Sequence, residues 1–163
     1  MNKYIIGVIV LGVALLGYSV ISSNQGSKST DATNTGPSAS KITVLEQPYD
    51  FGDIEIFAGK VSTNYTLKNE GTEAVTITKA VTSCMCTEGE IAGLTFGMHG
   101  SEVKSVTIPA GGEEVVKATY DPLAHGPSGV GPVTRMLNLE TNSTETPKIE
   151  LRFSANVIKT EDQ

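Results

Sequence analysis

The run Ile149-Glu150-Leu151-Arg152-Phe153-Ser154-Ala155-Asn156-Val157 decides the fold. Its apolar residues occupy every second position, with Glu150, Arg152, Ser154 and Asn156 between them. Successive side chains of an extended chain point to opposite faces, so the segment is predicted to be a strand with one face in a core and one in water. Upstream, Val61, Thr63, Tyr65 and Leu67 alternate in the same way with Ser62, Asn64, Thr66 and Lys68. Such half-buried alternation belongs to antiparallel sheets.

Further strands are expected over residues 42–46, 54–57, 75–81, 103–108, 114–120 and 133–141. Turn chemistry separates them at short intervals: Asn69-Glu70-Gly71-Thr72, Pro109-Ala110-Gly111-Gly112 and Thr141-Asn142-Ser143-Thr144. No segment after residue 22 sustains an amphipathic helical pattern. Seven to nine short strands therefore point to an all-β chain, an immunoglobulin-like antiparallel β-sandwich. With no Trp in the chain and its two cysteines two positions apart, the Cys-Trp-Cys core of antibody domains is absent. Hydrophobic packing alone is expected to hold the sheets together.

Composition narrows the function. Twelve basic against eighteen acidic residues give a net charge of −6, which argues against nucleic acid as a partner. Two cysteines cannot supply a four-cysteine zinc site, and two histidines leave little material for general acid–base catalysis. No Gly-x-Ser-x-Gly elbow occurs, and Glu113 and Glu114, adjacent on a strand, would face opposite ways. Gly126, Gly129 and Gly131 precede no helix and no Lys-Ser/Thr pair, so they make no phosphate cradle. The chain reads as a non-enzyme.

Residues 4–21, YIIGVIVLGVALLGYSVI, contain no charge. As a helix they would span about 27 Å at ~1.5 Å per residue, close to the ~30 Å hydrocarbon core. A cleaved signal carries a shorter apolar run and a small-x-small site, so residues 1–21 are read as a retained N-terminal transmembrane helix; cleavage would leave a secreted body. Lys3 precedes the span and residues 22–27 carry no charge, which favours an extracytoplasmic body at the cell surface or in the periplasm. Residues 22–41, rich in Ser, Thr, Asn and Gly, are expected to be a disordered tether. The sandwich should occupy residues 42–159, with 160–163 as a tail.

Six short motifs follow one another in register: Tyr49-Asp50-Phe51-Gly52-Asp53-Ile54, Leu67-Lys68-Asn69-Glu70-Gly71, Ser83-Cys84-Met85-Cys86-Thr87, Ile108-Pro109-Ala110-Gly111-Gly112, Tyr120-Asp121-Pro122 and Thr141-Asn142. Together they resemble the bacterial DUF1573 family across roughly residues 45–157. The resemblance implies an immunoglobulin-like sandwich related to the ASPM/SPD-2/Hydin domains, exported or membrane-anchored, acting as a binding or scaffolding module. Cys-Gly-Cys-Thr is usual in that family, whereas Met85 stands in the middle here, and residues 90–104 form a longer link.

Cys84 and Cys86 concentrate the chemistry. On a regular strand they share a face with Cα atoms about 6.6 Å apart. A disulfide spans roughly 4.4–6.8 Å, so bridging them calls for a bent or bulged strand end. Two thiolates can instead converge on one soft metal, copper(I) or zinc. Candidate further ligands are His99, Met98 and His125, the first in a Gly-bounded hairpin tip and the last in a Gly/Pro-rich exposed loop; Met85 should face away. Three readings stand side by side: core thiols, a Cys84–Cys86 disulfide, and a metal site. The functional reading is a membrane-tethered binding or scaffolding module with a protein partner, with a copper or zinc binder and a thiol-redox module as alternatives.

Overall fold

The computed structural model describes residues 36–101 and 106–160. Eleven strands are present among them: β1 (Ile42–Val44), β2 (Tyr49–Glu55), β3 (Val61–Asn69), β4 (Val75–Thr82), β5 (Thr87–Ile91), β6 (Leu94–Gly97), β7 (Gly100–Ser101), β8 (Val106–Ile108), β9 (Glu113–Tyr120), β10 (Gly131–Thr141) and β11 (Lys148–Ile158). They form a six-stranded sheet, β1-β3-β9-β5-β6-β7, and a five-stranded sheet, β2-β11-β10-β4-β8.

Alternation produces this arrangement directly. In β11 each of Ile149, Leu151, Phe153, Ala155 and Val157 is buried, while the residues between them face outward. Across the core, Thr63, Tyr65, Leu67 and Asn69 of β3 are buried with Val116, Ala118 and Tyr120 of β9. Tyr65, Tyr120 and Phe153 are the largest fully buried side chains, and Tyr120 lies 5.6 Å from Phe153 between ring centroids. Packing joins the sheets, together with hydrogen bonds from the Tyr65 hydroxyl to the Arg152 carbonyl and from Asn69 Nδ2 to the Ile108 carbonyl.

The strand count exceeds expectation because residues 87–101, most of them in the link expected over 90–104, fold into β5, β6 and β7. Ile91 pairs with Leu94 across a two-residue turn in which Ala92 and Gly93 have positive φ, as a type I′ hairpin requires. Gly89 hid the β5 pattern: it leaves an apparent gap in the alternation, and that gap is filled by the Phe96 ring lying over its backbone. β2 begins at Tyr49 rather than residue 54, its start masked by Asp50, Gly52 and Asp53. The sheets are also not wholly antiparallel. β2 runs parallel to β11, a pairing that needs a long crossover, and nearly the whole domain supplies it.

Residues 36–41, read as the end of the tether, lie against the sandwich. Ser38 and Ser40 are buried; Ser38 bridges Ser143 in parallel register, and Ser40 Oγ accepts from Glu73 N at 2.9 Å. Composition hides this because short hydroxyl side chains satisfy buried backbone groups without adding apolar area. The apolar stretch 4–21 and the tether up to residue 35 lie outside the described residues, as do 103–105 of the expected strand 103–108 and most of the tail. No helix among the described residues is long and apolar enough to cross a membrane.

Candidate functional site

Cys84 and Cys86 lie on the crossover from β4 in one sheet to β5 in the other. A tight turn forms there: Thr87 N donates to Cys84 O at 3.1 Å, and Thr82 Oγ1 donates to the same oxygen at 2.9 Å. Asp121 N donates to Cys86 O at 2.9 Å, and Ser83 is tied to Met136 by two further hydrogen bonds. The turn brings the cysteine Cα atoms to 5.2 Å, and the sulfurs are joined in a disulfide with an S–S distance of 2.10 Å. This is the bent strand end that the spacing demanded.

The two sulfurs have different surroundings. Cys86 is buried in the core cluster, whereas Cys84 packs only partly against it. His125 Nε2 lies 3.3 Å from Cys84 Sγ, held by the 3-10 turn Pro122–His125. Asp121 Oδ1 caps that turn by accepting from Leu123 N at 3.0 Å. On the other side Arg135 Nε donates to Cys86 Sγ at 3.1 Å, and the guanidinium sits 5.8 Å over the Tyr120 ring. Burial pushes the Tyr120 hydroxyl pKa up; the Arg135 cation opposes that shift, while Asp121 reinforces it.

Arg135 escaped the sequence reading, although a signal was present. It occupies the inward phase of β10, in the row Val133, Arg135, Leu137, Leu139, where a cation has to find a partner. The ligand atoms of Cys84, Cys86 and His125 all lie within 4.8 Å of one another, so this trio could hold a metal ion once the pair is reduced. Met98 and His99 are elsewhere, at the two-residue tip between β6 and β7. They line an open groove of about 1020 Å³ with Met85, Glu88, Lys79 and Glu140. Met85 is 71% exposed, so it does turn from the core into this groove.

The profile of the family described as "Protein of unknown function (DUF1573)" matches residues 42–157. No curated protein matches the sequence. Among solved structures, a protein of unknown function from Porphyromonas gingivalis W83 is similar with a TM-score of 0.59 and 12% identity, over 76% of this chain and 49% of that one. The VesB protease of Vibrio cholerae gives 0.50 and 16% identity, over 73% of this chain and 32% of its own. The ASH/PapD-like domain 7 of human CEP192 gives 0.42 and 17%, over 78% and 92%, a score too low to argue from. The chain thus spans about half and a third of the first two, and at these identities the likeness shows the fold alone.

Proposed function

The chain belongs to the DUF1573 family, and from that premise we propose that it is a non-enzymatic binding module, held outside the cytoplasm by the apolar segment 4–21. The observation that carries this reading is the open groove lined by Met85, Met98, His99 and Glu88. Met85 and Met98 are both exposed there, at 71% and 40%. Unbranched, polarisable methionines adapt to varied apolar side chains, as promiscuous docking surfaces require. The occupant we assign is an extended segment of another envelope protein, with an apolar side chain between the two methionines.

Peptides selected from a random library against the protein should bind at one-to-one stoichiometry and perturb the amide resonances of Met85 and Met98. Met98→Asp should abolish that binding with the β-sheet spectrum intact. Selection that yields no binder, or binders mapping elsewhere, overturns the reading. Tethering is tested separately: membrane-fraction protein should retain residues 1–21, and a mature N-terminus near Ser22 would refute a retained helix.

A second reading is favoured by the proximity of Cys84, Cys86 and His125. Reduced, they offer two thiolates and an imidazole, a set suited to copper(I) and also to zinc. Titration with each ion under reducing conditions, read by native mass spectrometry, should give a one-to-one adduct that Cys84→Ser removes. No adduct with either ion ends this reading.

A further inference from the structure

Arg135, in the inward row of β10, is half-buried with its guanidinium over the Tyr120 ring, and among the described residues it makes no ion pair. Its Nη1 donates to Thr134 O at 2.9 Å and its Nε to Cys86 Sγ at 3.1 Å. A disulfide sulfur is neutral and a weak acceptor, so it is a poor match for a half-buried guanidinium. A thiolate at the same position would be a charge-assisted partner. The Thr87 hydroxyl, 3.7 Å from Cys86 Sγ, adds a second donor. The surroundings of Cys86 are thus better suited to the sulfur after the bond has opened than to the sulfur within it.

We propose that the Cys84–Cys86 disulfide undergoes thiol–disulfide exchange with a dithiol protein, with Cys84 as the attacked sulfur and Cys86 as the leaving thiolate held by Arg135. Cys84 is the more accessible of the two, since Cys86 is only 3% exposed. A partner thiolate attacks Cys84 Sγ; a partner–Cys84 disulfide forms, the Cys84–Cys86 bond breaks, and its electron pair stays on Cys86. The partner's second thiolate then attacks its own sulfur in the mixed disulfide, closing the partner's disulfide and releasing Cys84. The partner dithiol loses two electrons and two protons, and this chain gains two of each as its thiols form, so the exchange balances without a net proton. The chain is the substrate of the exchange, which generates the reduced pair that a metal would require. The proposal does not depend on the methionine groove.

The full-length oxidised protein is incubated with excess 2-mercaptoethanol, quenched in acid, alkylated and mapped by peptide mass spectrometry. The mercaptoethanol adduct is expected on Cys84 and the alkyl label on Cys86. Arg135→Gln should slow reduction by dithiothreitol about tenfold, because the leaving thiolate loses its cation, and Arg135→Lys should restore most of the rate. An adduct on Cys86, unchanged kinetics in folded Arg135→Gln, or reduction only where circular dichroism shows the sheets melted would overturn the proposal. If Arg135→Gln does not fold, the adduct position in the unaltered protein decides.

Discussion

Tyr65 in β3 donates its hydroxyl proton to the Arg152 carbonyl in β11 at 2.8 Å, so a hydrogen bond crosses from sheet to sheet through the packed core. The donor is removed from competing water, since Tyr65 is fully buried. Tyr65→Phe keeps the ring and leaves the carbonyl without this donor. The expected cost is about 1–2 kcal/mol, read as a lower urea midpoint at unchanged slope. No shift in the midpoint would mean that water replaces the hydroxyl.

The same burial sets an alkaline limit. Desolvation pushes the Tyr65 pKa up to about 12, with Tyr49 adding to the shift. An unfolded chain sheds that proton near pH 10, while the folded one keeps it. By linkage, stability is unaffected below about pH 10, falls as pH rises from there, and levels off above the folded pKa. Tyr65→Phe should flatten part of this decline in denaturation series across the window, with Tyr120, shifted the same way, supplying the remainder.

Asn69 is fully buried at the end of β3, and its side chain ties three segments together. Nδ2 donates to the carbonyls of Glu73, Ile108 and Pro109, and Oδ1 accepts from Gly71 N at 3.0 Å. Asn69→Ala leaves several buried backbone groups unpaired and should cost about 3 kcal/mol. Faster amide exchange at Gly71 in the variant would identify the cause; exchange unchanged from wild type would count against it.

The alternating pattern exposed the frame of the fold but not all of it. β3, β9, β10 and β11 declare themselves because each lays apolar residues on one face with few interruptions. β4 does so by its apolar and β-branched residues, although its inward phase shifts across Thr78 and Lys79. β5 conceals itself because Gly89 stands where an apolar side chain should be, and the missing volume comes from Phe96, seven positions later. At the site, the spacing of Cys84 and Cys86 left core thiols, a disulfide and a metal site side by side, and showed that a disulfide would need a bend. His125 was legible as a candidate ligand by its residue type, and the structure brings it to Cys84 from 41 residues away, whereas Met98 and His99 lie elsewhere. Arg135 was hidden by distance: it reaches Cys86 from 49 residues away on a strand whose placement only tertiary structure sets.

Gly89→Ala tests that concealed packing. An added methyl would lie 2.1 Å from Phe96 Cζ, so the ring has to move. A loss of about 1–3 kcal/mol is expected. Pairing it with Phe96→Ala should produce strong non-additivity, the second change costing far less in the variant than in wild type. Simple addition of the two losses would show that ring and glycine do not compete for the same space.

Opening the disulfide should leave the sandwich standing. Its two cysteines are separated by two positions, and so short a loop restricts the unfolded chain little, on the order of 1–2 kcal/mol by the chain-entropy relation. Cys84→Ala with Cys86→Ala is therefore expected to lower the thermal midpoint by several degrees while retaining a cooperative transition. Loss of the cooperative transition would instead assign the bond a scaffold role.

The parallel pairing of β2 with β11 has a consequence for how the protein is made. Tyr49–Glu55 finds its neighbour only when Lys148–Ile158 exists, about a hundred residues later, so the ribosome must pass that strand before the sheet can close. Until then Tyr49–Glu55 has no strand beside it, which leaves a segment open to chaperones and to misassembly while the intervening residues are made.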